Sequence, residues 1–308
     1  MELLKDLEGS NPLWRYMDTS KFLDLLLNSK LVFPRYDKFE DPYEGYASNY
    51  IELLGKALKD ENFTDNGGLK FGINSFKDYI NISNYYAYVS CWHHNSFESA
   101  GMWKLYCTTP ESIVIKSNVD RLKKSFTENE GRQLIFSKVT YDSTLDGIEI
   151  KDLHNVNVFN SLLMKRESFD HEKEYRVLLI DHADRIKVMQ DHTVNLNKHI
   201  DDWFSESDKV LNRLNSKSEI NTQEDFESIV ELIEREYEPD VNSVKHILER
   251  LKENREIIKV EDVDLNILIE EIIVSPYAPK WFVSTVEKLI KELNFDFKVS
   301  QSKLYELV

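Results

Sequence analysis

The run YRVLLI at Tyr175–Ile180 most constrains the fold, because it is the clearest strand in the chain. Branched and aromatic residues of this kind are favoured in β-strands. Further strand-forming runs are Leu13–Met17, Tyr85–Trp92, Ser112–Ser117 and Gln133–Tyr141. Two runs near the C-terminus, Ile272–Val274 and Phe295–Val299, have strand patterns but no partner nearby in the sequence. They therefore predict a sheet completed by the end of the chain.

Helical patterns lie between these strands. Phe22, Leu23, Leu26 and Leu27 follow capping residues at helical spacing. A second helix is predicted from Asn95 to Tyr106, and a third around Val156–Leu163. The resulting expectation is an α+β fold, with a central mixed β-sheet of about six or seven strands flanked by helices.

The C-terminal third differs from the rest in composition. Residues 201–262 contain no glycine and only one proline, Pro239, and their apolar residues recur at helical spacing with an acidic exterior. We interpret this stretch as a helical insertion. The domain prediction is a core at 1–200, the insertion at 201–262, and a C-terminal part at 263–308 that completes the core.

Composition limits the partners and the compartment. Lys plus Arg total 39 against 55 for Asp plus Glu, a net charge of -16, which disfavours bulk binding to nucleic acid or to anionic membranes. Cys91 and Cys107 are the only cysteines, so no disulfide framework is expected. No signal-peptide pattern opens the sequence, and no apolar run approaches the roughly 20 residues of a membrane span. We expect a cytoplasmic protein.

Several common site motifs are absent. The 9 glycines form neither GxGxxG nor GxxxxGK[ST], which argues against Rossmann and P-loop nucleotide sites, and there is no GxSxG or HExxH. Thiol and imidazole groups at Cys91, His93, His94 and Cys107 are possible zinc ligands, but their spacing matches no closed structural site. We expect the cysteines to pack in the core and the histidines to lie in a polar loop.

The run EKEYR at residues 172–176 carries the most informative chemistry. Strand alternation predicts that Glu172, Glu174 and Arg176 share one face. Buried, these charges are costly unless a ligand or a partner pairs them. An edge strand with a solvated polar face is the alternative interpretation.

Three sequence blocks, LWRYMDTSKFLDLLLNSKLVFPRYDKFEDPYEG, VSCWHHNSFESAGMWKLY and KRESFDHEKEYRVLL, resemble the signature blocks of the bacterial family called domain of unknown function 2971. The later run VDLNILIEEIIVSPYAPKWF is similar to the C-terminal end of that family, as are Ser302 and Leu304. The resemblance covers nearly the whole chain except the insertion, and it implies a fold more than a function.

The opening strand, helix and Leu-x-Phe also resemble, more remotely, the start of ADP-ribosyltransferase folds. The arginine–serine–glutamate class has Arg on the first strand, Ser on a middle strand and E-x-E before a later strand. Arg15, Ser90 and Glu172-x-Glu174 occur here in that order. The Ser-Thr-Ser pattern is absent, because Cys91 and Trp92 follow Ser90.

This second resemblance implies a toxin or phage-defence effector that binds NAD⁺ and cleaves its nicotinamide–ribose bond. The chain would transfer ADP-ribose to a macromolecular acceptor or hydrolyse NAD⁺. Glu174 would stabilise the oxocarbenium-like sugar, Glu172 would orient the acceptor or serve as its base, and Arg15 would pair with the pyrophosphate. The residues expected at the nucleotide are Arg15, Tyr16, Tyr36, Ser90, Trp103, Tyr106 and Arg176.

Two alternatives stay open. In the first, the chain is a non-enzymatic interaction or sensor module of a bacterial defence system and binds a protein partner through the acidic insertion. Alternatively it is a metal-dependent nuclease, in which carboxylates hold Mg²⁺. The carboxylates available for that role are Asp41, Glu44, Glu172 and Glu174.

Overall fold

The computed structural model describes residues 6–39, 41, 84–129, 131–141, 158–181 and 256–306. The first strands of these residues are β1 (Pro12–Asp18), β2 (Lys30–Pro34), β3 (Ala87–His94), β4 (Ser112–Asn118), β5 (Arg132–Lys138) and β6 (Thr140–Tyr141). The later strands are β7 (Met164–Lys165), β8 (Glu174–Asp181), β9 (Ile258–Asp262), β10 (Glu271–Val274) and β11 (Lys298–Gln301). The α-helices are α1 (Thr19–Asn28), α2 (Ala100–Tyr106), α3 (Val119–Ser125), α4 (Leu265–Leu268) and α5 (Lys280–Glu292).

Seven strands form one central sheet in the order β11-β10-β4-β1-β3-β8-β5. β10 is antiparallel to β4 and parallel to β11, so the sheet is mixed. The C-terminal strands thus join the same sheet as the N-terminal ones, which confirms the predicted α+β class. The physical reason is that Ile272–Val274 is apolar and finds its partner on the open edge of β4.

The central sheet carries a hydrophobic core on each face. The larger core includes Leu13, Trp92, Ile115, Tyr175 and Ile272, and it packs against apolar residues of α1 and α5. The opposite face carries two smaller clusters, represented by Val89, Leu178 and Ile180 and by Trp14, Tyr16 and Val114. Strand alternation therefore places Arg15, which lies between Trp14 and Tyr16, on the face of the larger core.

The sheet opens between β1 and β3. These strands pair only at Leu13↔His94 and Trp14↔His93, whereas β1 pairs with β4 along its whole length. β3 continues with β8 on its other side as far as Ala87↔Ile180. From Arg15 onward the two strands have therefore separated, and this opening determines the position of the candidate site.

The helices differ locally from the sequence expectations. The second predicted helix begins only at Ala100, because the Ser99 side chain accepts a hydrogen bond from the Met102 backbone N–H and caps it there. The third predicted helix is a 3₁₀ helix at Val158–Leu163. In α1, Leu25 is buried and Leu27 is 65% exposed, since α1 packs on the sheet with a face slightly rotated from the predicted one.

The predicted insertion lies outside the described residues except at its end. There the prediction needs correction, because Ile258–Asp262 form strand β9, which is antiparallel to β2, and are not helical. Apolar and charged side chains alternate in this short run, and β2 offers an unpaired edge. Among the residues that the structure describes, no helix is long and apolar enough to cross a membrane.

Candidate functional site

A cavity of about 600 Å³ lies where β1 and β3 separate. That volume falls in the usual range for small-molecule sites. Residues of α1 and β2 border it from one face of the sheet, and residues of α2 and the Glu172–Glu174 segment border it from the other. Among the residues that line it are Arg15, Tyr16, His93, Tyr106, Glu172 and Glu174.

Arg15 supplies a cation to this cavity from strand β1. Its guanidinium donates hydrogen bonds to the Ser90 hydroxyl and, at 3.4 Å, to the Val32 carbonyl oxygen, and it lies 5.5 Å from the Trp92 ring centre. No carboxylate of the described residues pairs with it. Burial lowers its pKa to about 10, which still leaves it protonated at neutral pH. A cation held in this way favours an anionic ligand.

Trp92 adds a second hydrogen-bond donor to the Arg15 side of the cavity. Its indole N–H is buried and has no hydrogen-bond partner among the described residues. The Arg15 guanidinium and the Trp92 indole N–H are both donors, the type of group from which phosphate oxygens accept hydrogen bonds.

The carboxylates of Glu172 and Glu174 meet on a shared lysine. Lys165 Nζ lies 2.5 Å from Glu172 Oε2 and 2.9 Å from Glu174 Oε1. Arg176 Nε donates to Glu174 Oε2 at 2.6 Å. The sequence had placed Glu172 in the strand, but it ends a 3₁₀ helix (Glu167–Glu172), and Lys173 follows with φ 40°. The two carboxylates therefore converge because the chain turns between them.

Their environments push the two pKa values apart. Burial, together with the hydrogen bond to Glu174, raises the pKa of Glu172 to about 7, and Lys165 offsets part of that increase. Burial also acts to raise the pKa of Glu174, but Arg176, the hydrogen bond with Glu172 and the Lys165 charge hold it well below its usual range. At neutral pH, Glu174 is ionised, whereas Glu172 is present in both its protonated and its ionised form. A pair separated in this way is typical of acid–base sites.

Two tyrosines flank the carboxylates. Tyr106 lines the cavity, and burial together with the charges of Glu172 and Glu174 raises its pKa. The Tyr141 hydroxyl accepts a 2.7 Å hydrogen bond from the Glu174 backbone N–H. Burial and Glu174 raise the pKa of Tyr141 in turn, so both phenols are neutral at physiological pH.

The structure places only some of the predicted site residues in the lining of the cavity. The predicted residues that line it are Arg15, Tyr16, Tyr106, Glu172 and Glu174. The residues outside the lining are Tyr36, Ser90, Trp103 and Arg176.

Each residue outside the lining has another contact. Ser90 is buried and accepts from Arg15, so it holds the guanidinium in place. Arg176 anchors Glu174 and also donates to the Leu162 carbonyl at 2.6 Å. Trp103 packs in the core and donates to Glu98, whereas Tyr36 packs edge-on against Tyr85.

His93 lines the cavity although the sequence analysis did not assign it to the nucleotide site, and the same is true of Lys21, Lys30 and Trp92. Both His93 and His94 end strand β3 and do not lie in a loop, and His93 is directly opposite Glu174 on β8. The signal available in the sequence was the strand-forming run immediately before them, which the structure extends by two residues. Cys91 and Cys107 form no disulfide, and burial raises the pKa of Cys107 to about 11.

The carboxylates have little capacity left for a metal. Lys165 occupies the position between Glu172 and Glu174 in which a bridging cation would lie. Asp41, another proposed ligand, pairs with Arg166 at 3.0 Å, and Glu44 lies outside the described residues. The described part of the chain holds no group of three or more potential metal ligands from His, Cys, Asp and Glu.

Comparison with known families gives one match. The family model described as Protein of unknown function (DUF2971) matches residues 102–177. The matched DUF2971 stretch runs from within α2 to within β8 and contains Glu172, Glu174 and Arg176, whereas Arg15 and His93 precede it. Neither a curated protein nor a solved structure shows significant similarity to the chain.

Proposed function

We propose that the cavity binds NAD⁺ and that the protein cleaves the nicotinamide–ribose bond, passing ADP-ribose to a macromolecule or to water. One observation carries this proposal: Arg15 and the pair Glu172 and Glu174 border the same cavity. Their side chains leave opposite faces of the sheet, and they reach one cavity because β1 and β3 have separated there.

On the Arg15 side, the ligand groups that fit are phosphates. A guanidinium offers several fixed donors to a pyrophosphate, and the indole N–H of Trp92 adds another. Lys21 and Lys30 also line the cavity on this side, together with the carboxylate of Asp24. These donors replace the glycine-rich loop that the sequence lacks.

On the carboxylate side, the charge that develops during bond cleavage is positive. The C1′–N1 bond breaks, its electron pair moves to the pyridine nitrogen, and the ribose becomes oxocarbenium-like. Glu174, held ionised by Arg176 and Lys165, stabilises this charge, which forms only in the transition state. The Tyr16 or Tyr106 ring then packs against the nicotinamide.

The second half of the reaction uses Glu172. A hydroxyl of the acceptor, or water, attacks C1′, and its proton passes to Glu172, whose pKa of about 7 suits a base at neutral pH. The products are nicotinamide and ADP-ribose joined to the acceptor, or free ADP-ribose. We further propose that the protein is a cytoplasmic effector of the toxin or phage-defence type, which is consistent with a sequence that has only two cysteines.

The test is nicotinamide release from NAD⁺ by the purified chain, with and without added protein and nucleic acid acceptors. Glu174→Gln keeps the side-chain shape and removes the charge, and we expect release to fall about 100- to 1,000-fold, as for other charge-stabilising groups. Glu167→Gln is the matched control, because Glu167 is an exposed glutamate on the 3₁₀ helix that precedes β8.

The outcomes separate the candidate functions. Release by the wild type and by Glu167→Gln but not by Glu174→Gln supports the proposal. Absence of release from the wild type under every acceptor condition refutes it. Activity retained in Glu174→Gln would assign the chemistry to other residues. The interaction-module alternative depends on residues 201–255, which lie outside the described residues.

A further inference from the structure

His93 is held in the wall of the cavity by contacts on both neighbouring elements. Its side chain is 6% exposed, it lines the cavity, and Glu174 is its cross-strand neighbour. The Tyr16 ring packs edge-on against the imidazole, with centroids 6.1 Å apart. The ring plane is therefore fixed before any ligand arrives.

The tautomer of His93 follows from one contact. Nδ1 lies 2.6 Å from the backbone carbonyl oxygen of Glu172, and a carbonyl oxygen only accepts hydrogen bonds. Nδ1 therefore carries the proton. Burial, with a smaller contribution from Lys173, lowers the pKa of the ring, so the imidazole is neutral and Nε2 has a free lone pair.

Nε2 is the unsatisfied atom. It is buried and has no hydrogen-bond partner among the residues that the structure describes. Leaving a buried acceptor without a hydrogen bond is costly, and most buried polar atoms in folded proteins therefore have a partner. Because His93 borders the cavity, that partner is to be sought in the ligand.

We propose that Nε2 of His93 accepts a hydrogen bond from a hydroxyl of the ligand's ribose, next to the carboxylate of Glu174. A neutral imidazole with its Nδ1 proton engaged offers only an acceptor here, so it selects a donor. A phosphate oxygen offers none, and a sugar hydroxyl does. The inference rests on the proposed function, and it names the residue that fixes the sugar relative to the carboxylates.

The test uses variants that separate the two ring nitrogens. His93→Asn keeps an N–H near the position of Nδ1 for the Glu172 carbonyl and removes Nε2. His93→Phe removes both. His171→Asn is the matched control, because His171 is an exposed histidine on the neighbouring 3₁₀ helix. The ligands are NAD⁺ and the analogues that lack either the 2′- or the 3′-hydroxyl of the nicotinamide ribose.

Calorimetry then gives the dissociation constants. We expect the wild type and His171→Asn to bind one deoxy analogue about 3- to 10-fold more weakly than NAD⁺, the range for one neutral hydrogen bond. His93→Asn should bind NAD⁺ weakly by the same factor and should not distinguish that analogue from NAD⁺. The ¹⁵N resonance of Nε2 should move on addition of NAD⁺, which a purely structural histidine would not show.

The failures are distinguishable. If the wild type binds NAD⁺ and His93→Asn binds it equally well, or keeps the same discrimination, the role of His93 is refuted and the proposed function stands. If the wild type does not bind NAD⁺, both are refuted.

Discussion

The ion pair between Arg176 and Glu174 gives the sharpest prediction about stability. Arg176 is 1% exposed and Glu174 is 4% exposed, and their Nε and Oε2 atoms lie 2.6 Å apart. Arg176→Met preserves most of the side-chain volume but leaves Glu174 with Lys165, which it shares with Glu172. It also removes the donor to the Leu162 carbonyl.

Breaking a buried pair by removal of one partner typically costs about 3–5 kcal/mol. We expect a loss of unfolding free energy in that range for Arg176→Met, measured by chemical denaturation at pH 7. Lys124→Met is the control, because Lys124 and its partner Asp120 are both exposed on α3, where such pairs contribute at most about 1 kcal/mol. Arg176→Met with Glu174→Gln should recover much of the loss, since both charges are then gone.

The pH dependence gives an independent check. In the wild type the depressed pKa of Glu174 adds stability that is present above its ordinary value of 4.5 and is lost as pH falls through the depressed value. Removing Arg176 raises the Glu174 pKa, because burial is then opposed only by the hydrogen bond with Glu172 and the Lys165 charge. The stability difference between the wild type and Arg176→Met should therefore shrink as pH falls from 8 to 5. A loss no larger than that of Lys124→Met, or one independent of pH, would refute the buried pair.

Three further predictions concern other positions. The kcat for nicotinamide release should rise through an apparent pKa of about 7 as Glu172 loses its proton, and Lys165→Met should move that rise to higher pH because it removes a nearby cation. A pH profile that does not move would contradict the role of Glu172 as the base. Arg15→Met should weaken NAD⁺ binding, measured by calorimetry, at least about tenfold, the range for a charged hydrogen bond, and should lower the Tm little because no carboxylate pairs with Arg15. An unchanged Kd would exclude Arg15 as the group that binds the phosphates. Leu26→Ala should lower the free energy of unfolding by about 2–5 kcal/mol in chemical denaturation and Leu27→Ala by about 0.5 kcal/mol or less, since of the two only Leu26 is buried. Equal losses would mean that α1 packs on the sheet with a different face.

Much of the sheet was predictable because strand formation depends on local side-chain type. The branched and aromatic runs at Tyr85–Trp92, Ser112–Ser117 and Tyr175–Ile180 became β3, β4 and β8 with shifts of a few residues. The C-terminal strands were placed in the same sheet because an apolar strand without a local partner must pair with a distant one. The strand end at His93 was missed because polar residues at an element boundary carry little local signal.

The sequence by itself also determined that Arg15, Glu172 and Glu174 are chemically unusual for their surroundings, because charges beside apolar strand runs need partners. What only the tertiary structure decided is which groups those partners are. Lys165 reaches the two carboxylates from a separate short strand, and the free Nε2 of His93 exists only because the Glu172 carbonyl takes its other nitrogen. The cavity itself depends on where β1 stops pairing with β3. Strand register and side-chain partners are set by contacts between segments far apart in the sequence, so no local pattern encodes them.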